Sequence, residues 1–460
     1  MNRIGILTAG GDTPALNSTI YGAVQRANQH KIEIIGLMRG FSCLFDKRLP
    51  HVFLNPLFGQ ISELDPTKGG TILGASRDYV DANDSNCLDQ MTDRLMRLKI
   101  EGVICVGGDG TLNGMQPLCE RLPMVLAAKT IDNDLGLNYS TEANDWVREP
   151  VAEPPGYVYR LSRQSADFDL QTMVNYVTPG FATAVFVAAS GVERIRTTAE
   201  SHRRIAIVEV MGRYSGYIAL GSTYGQPDLV LVPESPVNFD RLVKRVKEIY
   251  EVQQNVVIVC GEGVVDERGH ELGSARRSTD PAGNPQLAGA SERLRDMLIQ
   301  AIGDNYFRTY RRLETAAEAI FTRKIGHTQR GGRPLLFDRL YGAQIGGKAV
   351  DMLLEGRNNF VAVLQWRRDR GFHVESFNGQ HLRDRWGHIH ARRMHPSFYD
   401  PTNMSPSKIG IEYLLPIFTN AVGHDDVEIV RQTIFDSGNL LRSYHSVNTD
   451  LNRHIQFLDT

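Results

Sequence analysis

The apolar positions of this chain form short unbroken runs that alternate with longer amphipathic stretches. Unbroken apolar runs are typical of strands buried on both faces of a sheet, and apolar residues three or four apart are typical of helices. The pattern predicts helices at 15–29 and 240–254 and a long, largely buried helix at 181–201. It predicts strands at 4–9, 32–37, 102–106, 124–128, 205–210, 229–232 and 256–260.

This alternation indicates an α/β protein with mostly parallel sheets covered by helices. Because the alternation occurs in two blocks, we expect two doubly wound lobes with an active site in the cleft between them. The predicted division is 1–179 with 329–380 for the first lobe and 180–328 with 381–460 for the second. This division gives the second lobe a C-terminal extension.

Two regions depart from the alternation. Residues 135–178 are rich in proline, charge and aromatics, which predicts a long loop or an insertion near 140–178. Residues 357–410 contain many Arg, His and aromatic residues with weak periodicity, and we interpret them as an irregular surface segment, such as one at a subunit contact.

Bulk composition narrows the class of protein. The net charge of −2 gives no reason to expect nucleic acid or an anionic membrane as a partner. No apolar run reaches the length of about 18 residues that a membrane span needs. The five cysteines lack C-x-x-C spacing, which fits a reducing cytoplasm and argues against a disulfide framework or a zinc site.

Two glycine-rich loops follow predicted strands. TAGGDTPALN (8–17) and VGGDGTLNG (106–114) each place glycines between a strand and a helix, where backbone N–H groups can approach a phosphate. A carboxylate beside phosphates normally holds Mg²⁺, so Asp109 is a candidate magnesium ligand. The first loop is equally consistent with a simple tight turn. GGDGT alone indicates only a phosphate-donor site, because it also occurs in kinases of NAD and of lipids.

The stretch VLAAKTIDNDLG (125–136) places Lys129 close to Asp132 and Asp134. Phosphoryl transfer to an alcohol requires a base for the hydroxyl, positive charge near the transferring group and a metal. One aspartate could act as the base while the other lies near Mg²⁺. The alternative is an Asp-rich turn that caps itself.

Three later stretches also place polar residues at strand ends, where α/β clefts bind ligands. They are RRIAIVEVMGRYSG (203–216), VCGEGVV (259–265) and KIGHTQRGGRPLLFDR (324–339). In the last stretch His327 and Arg330 stand beside paired glycines, an arrangement that suits a sugar phosphate. Each stretch alone is weak evidence for a site, but such loops recur too often to be turns alone.

Together these residues resemble the phosphofructokinase family. GGD, GGTILGASR (69–77), GGDGT, KTIDND, SHRRIAIVEVMGR, GEG and GHTQRGG occur in the family's order, over roughly residues 3–356 apart from the insertion. The resemblance implies two α/β lobes, the first binding the phosphate donor and the second the sugar phosphate. It implies phosphoryl transfer to the 1-hydroxyl of fructose 6-phosphate, with Mg²⁺.

The resemblance also implies roles for individual residues. Asp132 is similar to the base that takes the hydroxyl proton, and Asp109 to the Mg²⁺-associated carboxylate. The catalytic set is Asp132, Thr130, Arg77 and Arg213. The donor-binding set is Gly11, Gly108, Gly110, Thr111 and Lys129. The substrate-binding set is Thr130, Asp132, Asp134, Arg204, Met211, Gly212, Arg213, Glu262, His327 and Arg330.

Arg204 resembles an arginine that reaches the 6-phosphate in a neighbouring subunit, which implies a homodimer or homotetramer. A second subunit-crossing arginine of the family is replaced by Phe321, and the nearest arginine is Arg323. Two effector-binding arginines of regulated members are replaced by Tyr21 and Gln25, so the resemblance does not extend to their allosteric control.

The identity of the donor depends on two positions. Members that use pyrophosphate have Asp where this chain has Gly110, and an Asp side chain there would repel the α-phosphate of a nucleotide. They have Lys at the position of Lys129, which ATP-dependent members often replace with Gly. Gly110 favours ATP as the donor, and Lys129 keeps pyrophosphate as the alternative. A non-catalytic, ligand-sensing paralogue is a weaker alternative, because the chain retains Asp132, Asp109 and Arg77.

Overall fold

The structure is a computed structural model that describes residues 1–78, 80–150, 156–162, 164–165, 168–273, 287, 289–310, 315–424 and 426–459. In chain order its strands are β1 (Arg3–Ala9), β2 (Glu33–Leu37), β3 (His51–Phe53), β4 (Ala75–Ser76), β5 (Gly102–Gly107), β6 (Met124–Ala128), β7 (Trp146–Pro150), β8 (Tyr157–Leu161), β9 (Ile205–Val210), β10 (Leu229–Leu231), β11 (Val256–Gly261), β12 (Ile320–Lys324), β13 (Phe360–Arg367), β14 (Gly371–Asn378), β15 (Tyr399–Asp400) and β16 (Ser405–Pro406).

The α-helices cover the sheets and connect their strands. They are α1 (Leu16–Gln29), α2 (Ser42–Phe45), α3 (Ser85–Arg97), α4 (Asp109–Cys119), α5 (Phe181–His202), α6 (Tyr217–Gly221), α7 (Phe239–Gln253), α8 (Ala290–Ile302), α9 (Asp304–Tyr310), α10 (Ala316–Ala319), α11 (Leu336–Leu354), α12 (Lys408–Phe418), α13 (Asp426–Ile434) and α14 (Val447–Leu451). Within the described ranges, no helix is both long and apolar enough to cross a membrane.

Two sheets form the centres of two lobes. The first has the strand order β14-β13-β6-β5-β1-β2-β3, with the short β4 paired to β1, and the second has the order β10-β11-β9-β12. The second sheet is parallel throughout, and the first is parallel except at its margins, where β3 and β14 run antiparallel to their neighbours. The predicted fold class is confirmed, and all seven predicted strands and the long helix at 181–201 are present.

The interpretation of 357–410 as an irregular surface segment is wrong for its first half. Strand β13 pairs with β6, which places Val361 opposite Leu126, and β14 pairs with β13. The middle of β13 is buried, whereas β14 is half-buried along its whole length, so β14 shows no clean alternation in the sequence. The predicted insertion contains an antiparallel hairpin of β7 and β8.

Close packing of α1 against α11 brings the end of the chain's second block back onto the first sheet. A Cβ at Gly22 would lie 1.9 Å from the carbonyl oxygen of Ala343, and a Cβ at Gly346 would lie 1.9 Å from that of Thr19. Only glycine permits such a close approach of two helix backbones. This contact positions the HTQRGG segment, which precedes α11, beside the GGD loop, which precedes α1.

The C-terminal tail also returns to the first sheet. Gln456 exchanges two backbone hydrogen bonds with His51 of β3, at 2.9 and 2.8 Å. Leu451 is buried, and His454 lies 3.1 Å from Glu63. The exact division of the chain between the two lobes stays a prediction.

Candidate active site

The TIDND turn follows β6 and is held by its own side chains. The Thr130 hydroxyl donates to Asp134 Oδ1 at 3.0 Å and accepts the backbone N–H of Asp132 at 3.1 Å. Asn133 adopts the left-handed conformation with φ of 57°, which short polar residues tolerate better than most. Asp132 and Asp134 are both buried, and Asp132 Oδ1 has no hydrogen-bond partner among the described residues. Self-capping therefore satisfies Asp134 and leaves one oxygen of Asp132 available.

A second layer beneath the turn comes from residues that the sequence motifs did not indicate. Arg392 donates to the carbonyl oxygens of Asn133 and Asn175, each at 2.7 Å, and its backbone N–H donates to the Asp134 carbonyl at 2.5 Å. The Asn133 amide donates to the Tyr413 hydroxyl at 2.6 Å. Arg392 is buried, so its guanidinium fixes the turn by satisfying backbone carbonyls away from water.

Lys129 links the end of β6 to the GGD loop. Its ammonium donates to the carbonyl oxygens of Ala9, at 3.1 Å, and Gly11. The side chain is buried, and burial lowers the Lys129 pKa from 10.5 to about 7, assisted by the positive charge of Arg330. The ammonium therefore lies at the loop where the sequence predicts donor phosphates, and an anion there would favour its charged form.

The second predicted phosphate loop leads from β5 into α4. Gly108 precedes the helix, Asp109 is its first residue, and Thr111 is buried with no hydrogen-bond partner for its hydroxyl among the described residues. Gly110 is exposed, and a Cβ built on it would meet nothing within 4 Å. The space beside Gly110 is therefore open, as expected for a nucleotide donor.

Three carboxylates from two loops share one environment. Burial raises the pKa of Asp134 to about 8, with further contributions from the negative charges of Asp109 and Asp132. Burial likewise raises the pKa of Asp109, while the nearby Arg213 opposes the shift. Such mutual repulsion is relieved by a bound cation, and oxygen ligands are the ones that Mg²⁺ prefers.

In the part of the chain that is described, no three His, Cys, Asp or Glu side chains come close enough to enclose a metal ion. Magnesium in phosphotransferases is usually held by one or two carboxylates together with substrate phosphates and water. The residues present therefore fit a magnesium ion that shares its ligands with the donor. Asp109 is the carboxylate that would hold it.

The facing side of the cleft is built at the carboxyl ends of β9 and β11. Gly212 and Arg213 both have positive φ values, of 137° and 47°, in the turn that follows β9. The Arg213 N–H donates to Glu262 Oε1 at 3.1 Å, which joins the two loops. Burial raises the Glu262 pKa from 4.5 to about 7, and the charge of Asp132 is the next contribution. The negative charge of Asp132, the candidate base on the first lobe, therefore contributes to the raised pKa of Glu262 on the second lobe. Met211, the first residue of the turn, is half-buried against the core.

The HTQRGG segment contributes one buried and one exposed group. His327 lies in a 3₁₀ turn and is exposed. Arg330 is buried, and its guanidinium donates to the Asp12 carbonyl at 3.3 Å. A Cβ at Gly11 would lie 2.5 Å from Arg330 Nη1. The sequence assigned Arg330 to the sugar phosphate, and the structure places its guanidinium against the GGD loop of the donor side.

Two other predicted residues occupy different positions. Arg77 follows β4, which pairs with the end of β1. Its side chain is half-buried at the edge of the first sheet that also carries the GGD loop. Arg204 precedes β9, so the length of that strand, about 20 Å, separates it from Met211. Arg204 is therefore not brought to the site of its own chain. On β12, Arg323 is exposed and its guanidinium lies 5.9 Å from the Phe321 ring centroid.

Fold and site together define a two-lobed α/β protein with glycine-rich loops on one lobe and the paired Arg213 and Glu262 on the other. The family model described as "Phosphofructokinase" matches residues 3–141 and 165–353. The chain belongs to the phosphofructokinase family. The residues outside the match include the β7–β8 hairpin and Arg392.

Curated relatives carry names of two kinds. The chain is 33% identical over 359 residues to "ATP-dependent 6-phosphofructokinase 2" of Streptomyces coelicolor, covering 77% of this chain and 88% of that protein. It is 31% identical over 370 residues to "Pyrophosphate--fructose 6-phosphate 1-phosphotransferase" of Dictyoglomus thermophilum, covering 78% and 89%. The names of these relatives therefore do not distinguish the two donors.

Solved structures support the fold. A pyrophosphate-dependent phosphofructokinase from Marinobacter aquaeolei is similar with a TM-score of 0.67 and 16% identity, covering 92% of each chain. At this identity the likeness shows the architecture alone.

Proposed function

We propose that this chain is a 6-phosphofructokinase that transfers the terminal phosphoryl group of ATP to the 1-hydroxyl of fructose 6-phosphate. The observation that carries the proposal is Asp132, which is buried and has one oxygen without a hydrogen-bond partner among the described residues. A substrate hydroxyl could donate to that oxygen and pass its proton to Asp132 as the nucleophile forms. In the cleft Asp132 is electrostatically coupled to Glu262 on the sugar side.

The remaining groups neutralise and orient the transferring phosphoryl group. Lys129 and Arg330 supply positive charge at the GGD loop, and Arg213 supplies it from the second lobe. A magnesium ion held by Asp109 would screen the phosphate charges when the donor is bound. Little covalent chemistry is left for the protein, because phosphoryl transfer depends mainly on positioning and charge stabilisation.

ATP is supported as the donor by the open space at Gly110. Pyrophosphate is the second candidate, and the observation that favours it is Lys129, whose buried ammonium lies at the donor loop and would be stabilised by a compact, highly charged anion. Measuring kcat/KM for ATP and for pyrophosphate at equal free Mg²⁺, with fructose 6-phosphate as acceptor, tests both. Efficient turnover of pyrophosphate with none of ATP would overturn the ATP assignment, and turnover of neither would overturn the reaction.

The quaternary state and location belong to the same proposal. We expect a homodimer or homotetramer, because Arg204 lies away from the site of its own chain and would serve the 6-phosphate site of a neighbour. We expect the protein in the cytoplasm, which the cysteine spacing favours. The half-buried Arg204 guanidinium has an Nε atom without a hydrogen-bond partner among the described residues.

A further inference from the structure

The segment 427–446, here called the C-terminal arm, exposes an unusual amount of apolar surface. Leu440, Leu441 and Tyr444 are 88%, 89% and 91% exposed, and Ile434 and Phe435 are exposed as well. Single exposed apolar residues are ordinary, but a run of large ones in one short segment marks an interaction surface.

The arm is fixed to the protein at both ends. At its start, Asp426 is buried and accepts the backbone N–H groups of Leu336 and Gly423 at 3.0 and 2.8 Å. After its end, Leu451 is buried in the core, and Gln456 pairs with β3. The arm is therefore not a frayed terminus: the chain leaves the core, presents apolar side chains and returns.

The charges of the arm are paired locally. Arg431 lies 2.7 Å from Glu428, Arg442 lies 2.7 Å from Asp436, and His445 lies 2.8 Å from Asp450. Such pairing leaves no concentrated positive charge to attract nucleic acid or an anionic lipid surface. The arm therefore suits a protein surface that is itself apolar.

This chain carries such a surface close in sequence to the arm. On α12, Ile411 and Leu415 are about half exposed, and because they are four residues apart they lie on one face of the helix. A two-fold axis would allow the arm of each chain to cover the α12 face of the other, since an isologous interface uses each surface twice.

We propose that the C-terminal arm docks on the exposed α12 face of a second copy of this chain. The five apolar side chains of one arm can bury on the order of 700 Å². Two arms would then bury more than the roughly 1,200 Å² that marks the lower end of specific interfaces. The surface that the arm covers therefore lies on a second copy of the same chain. This inference does not depend on the proposed reaction.

The test measures assembly by sedimentation velocity over a dilution series. One variant is Leu440→Asp with Leu441→Asp, and its matched control is Ser437→Asp with Ser443→Asp, which adds the same charge at exposed polar positions of the same arm. We expect the arm variant to raise the midpoint concentration of dissociation by at least about 100-fold relative to the control, because each leucine loses about 1.5–3 kcal/mol of burial. Ile411→Asp with Leu415→Asp should do the same from the other side.

The wild-type protein supplies an independent measurement. Backbone amides of 430–444 should exchange hydrogen more slowly in concentrated than in diluted protein. Three outcomes would each overturn the proposal: a wild-type chain that is monomeric at tens of micromolar, an arm variant that assembles like its control, or an α12 variant that assembles like wild type.

Discussion

Replacing Gly110 with Asp should suppress the use of ATP through charge alone. The position is exposed, and the new Cβ meets no atom within 4 Å, so the substitution introduces no steric clash. Gly110 is the second residue of α4, where an acidic side chain interacts favourably with the helix dipole by about 0.3–1 kcal/mol. The melting temperature should therefore stay the same or rise slightly.

The loss of ATP use can be estimated from Coulomb's law. A carboxylate about 5 Å from the α-phosphate, at an effective dielectric constant of about 20, repels a unit charge by about 3 kcal/mol. That energy corresponds to a loss on the order of 10²-fold in kcat/KM for ATP. Pyrophosphate has no group at the α-phosphate position, so any activity with it should be spared.

The assay compares kcat/KM for ATP and pyrophosphate in the wild type, Gly110→Asp and Gly110→Asn. The asparagine variant has the same size without the charge, so it should retain most ATP activity. The reasoning is refuted if Gly110→Asp uses ATP normally. It is also refuted if the asparagine variant is as impaired as the aspartate variant, since bulk rather than charge would then exclude ATP.

Four further substitutions test other parts of the site. Asp132→Asn should lower kcat by about 10²- to 10⁴-fold with a nearly unchanged Kd for fructose 6-phosphate, and near-normal turnover would remove Asp132 as the base. Arg204→Ala should raise the KM for fructose 6-phosphate, and mixing it with Asp132→Asn chains should restore part of the activity; a fully active monomer would contradict this. Glu262→Gln should raise the free energy of unfolding at pH 8 by up to about 3 kcal/mol but change it little at pH 4. The reason is that the Glu262 pKa is about 7 in the folded protein and 4.5 ordinarily, so the ionised carboxyl destabilises the fold increasingly as the pH rises between these values. Equal effects at both pH values in urea unfolding would count against this reasoning. Arg392→Lys should lower the free energy of unfolding by about 2–4 kcal/mol, because one ammonium cannot satisfy the carbonyls that a planar guanidinium reaches together. The control Arg393→Lys, at the half-buried neighbouring position, should have little effect. Similar losses for the two variants would argue against a role of Arg392 in holding the turn.

The sequence predicted the central strands well because their environment is simple. A strand buried on both faces must be apolar at nearly every position, as MVLAA of β6 is, and no tertiary information is needed to recognise it. Strand β14 is half-buried along its length and contains His373 and Glu375, so its residues show neither a continuous apolar run nor alternation. The pattern therefore failed where burial itself is intermediate.

The motifs similarly indicated the candidate site residues but not the residues that hold them in place. Lys129 and Asp132 were recognisable from their loop, whereas Arg392 lies 259 residues from Asn133, whose carbonyl it binds. Nothing in the sequence distinguishes Arg392 from a surface arginine, because it lies in an Arg-rich stretch with the composition of a surface segment. Arg330 shows the converse: the motif identified the residue, but only the fold shows that its guanidinium lies on the GGD loop.

The pairing of Gln456 with His51 has a consequence for how the protein is made. The first sheet acquires β1, β2 and β3 early in synthesis, but β13 can join β6 only after the strands of the second sheet have been translated, and Gln456 can pair with β3 only after it has left the ribosome. Until then the nascent chain carries unpaired strand margins at both sides of an incomplete sheet, and such margins invite pairing with other chains. Deleting the segment around Gln456 should therefore reduce the yield of folded protein during synthesis more than it reduces the stability of molecules that have already folded.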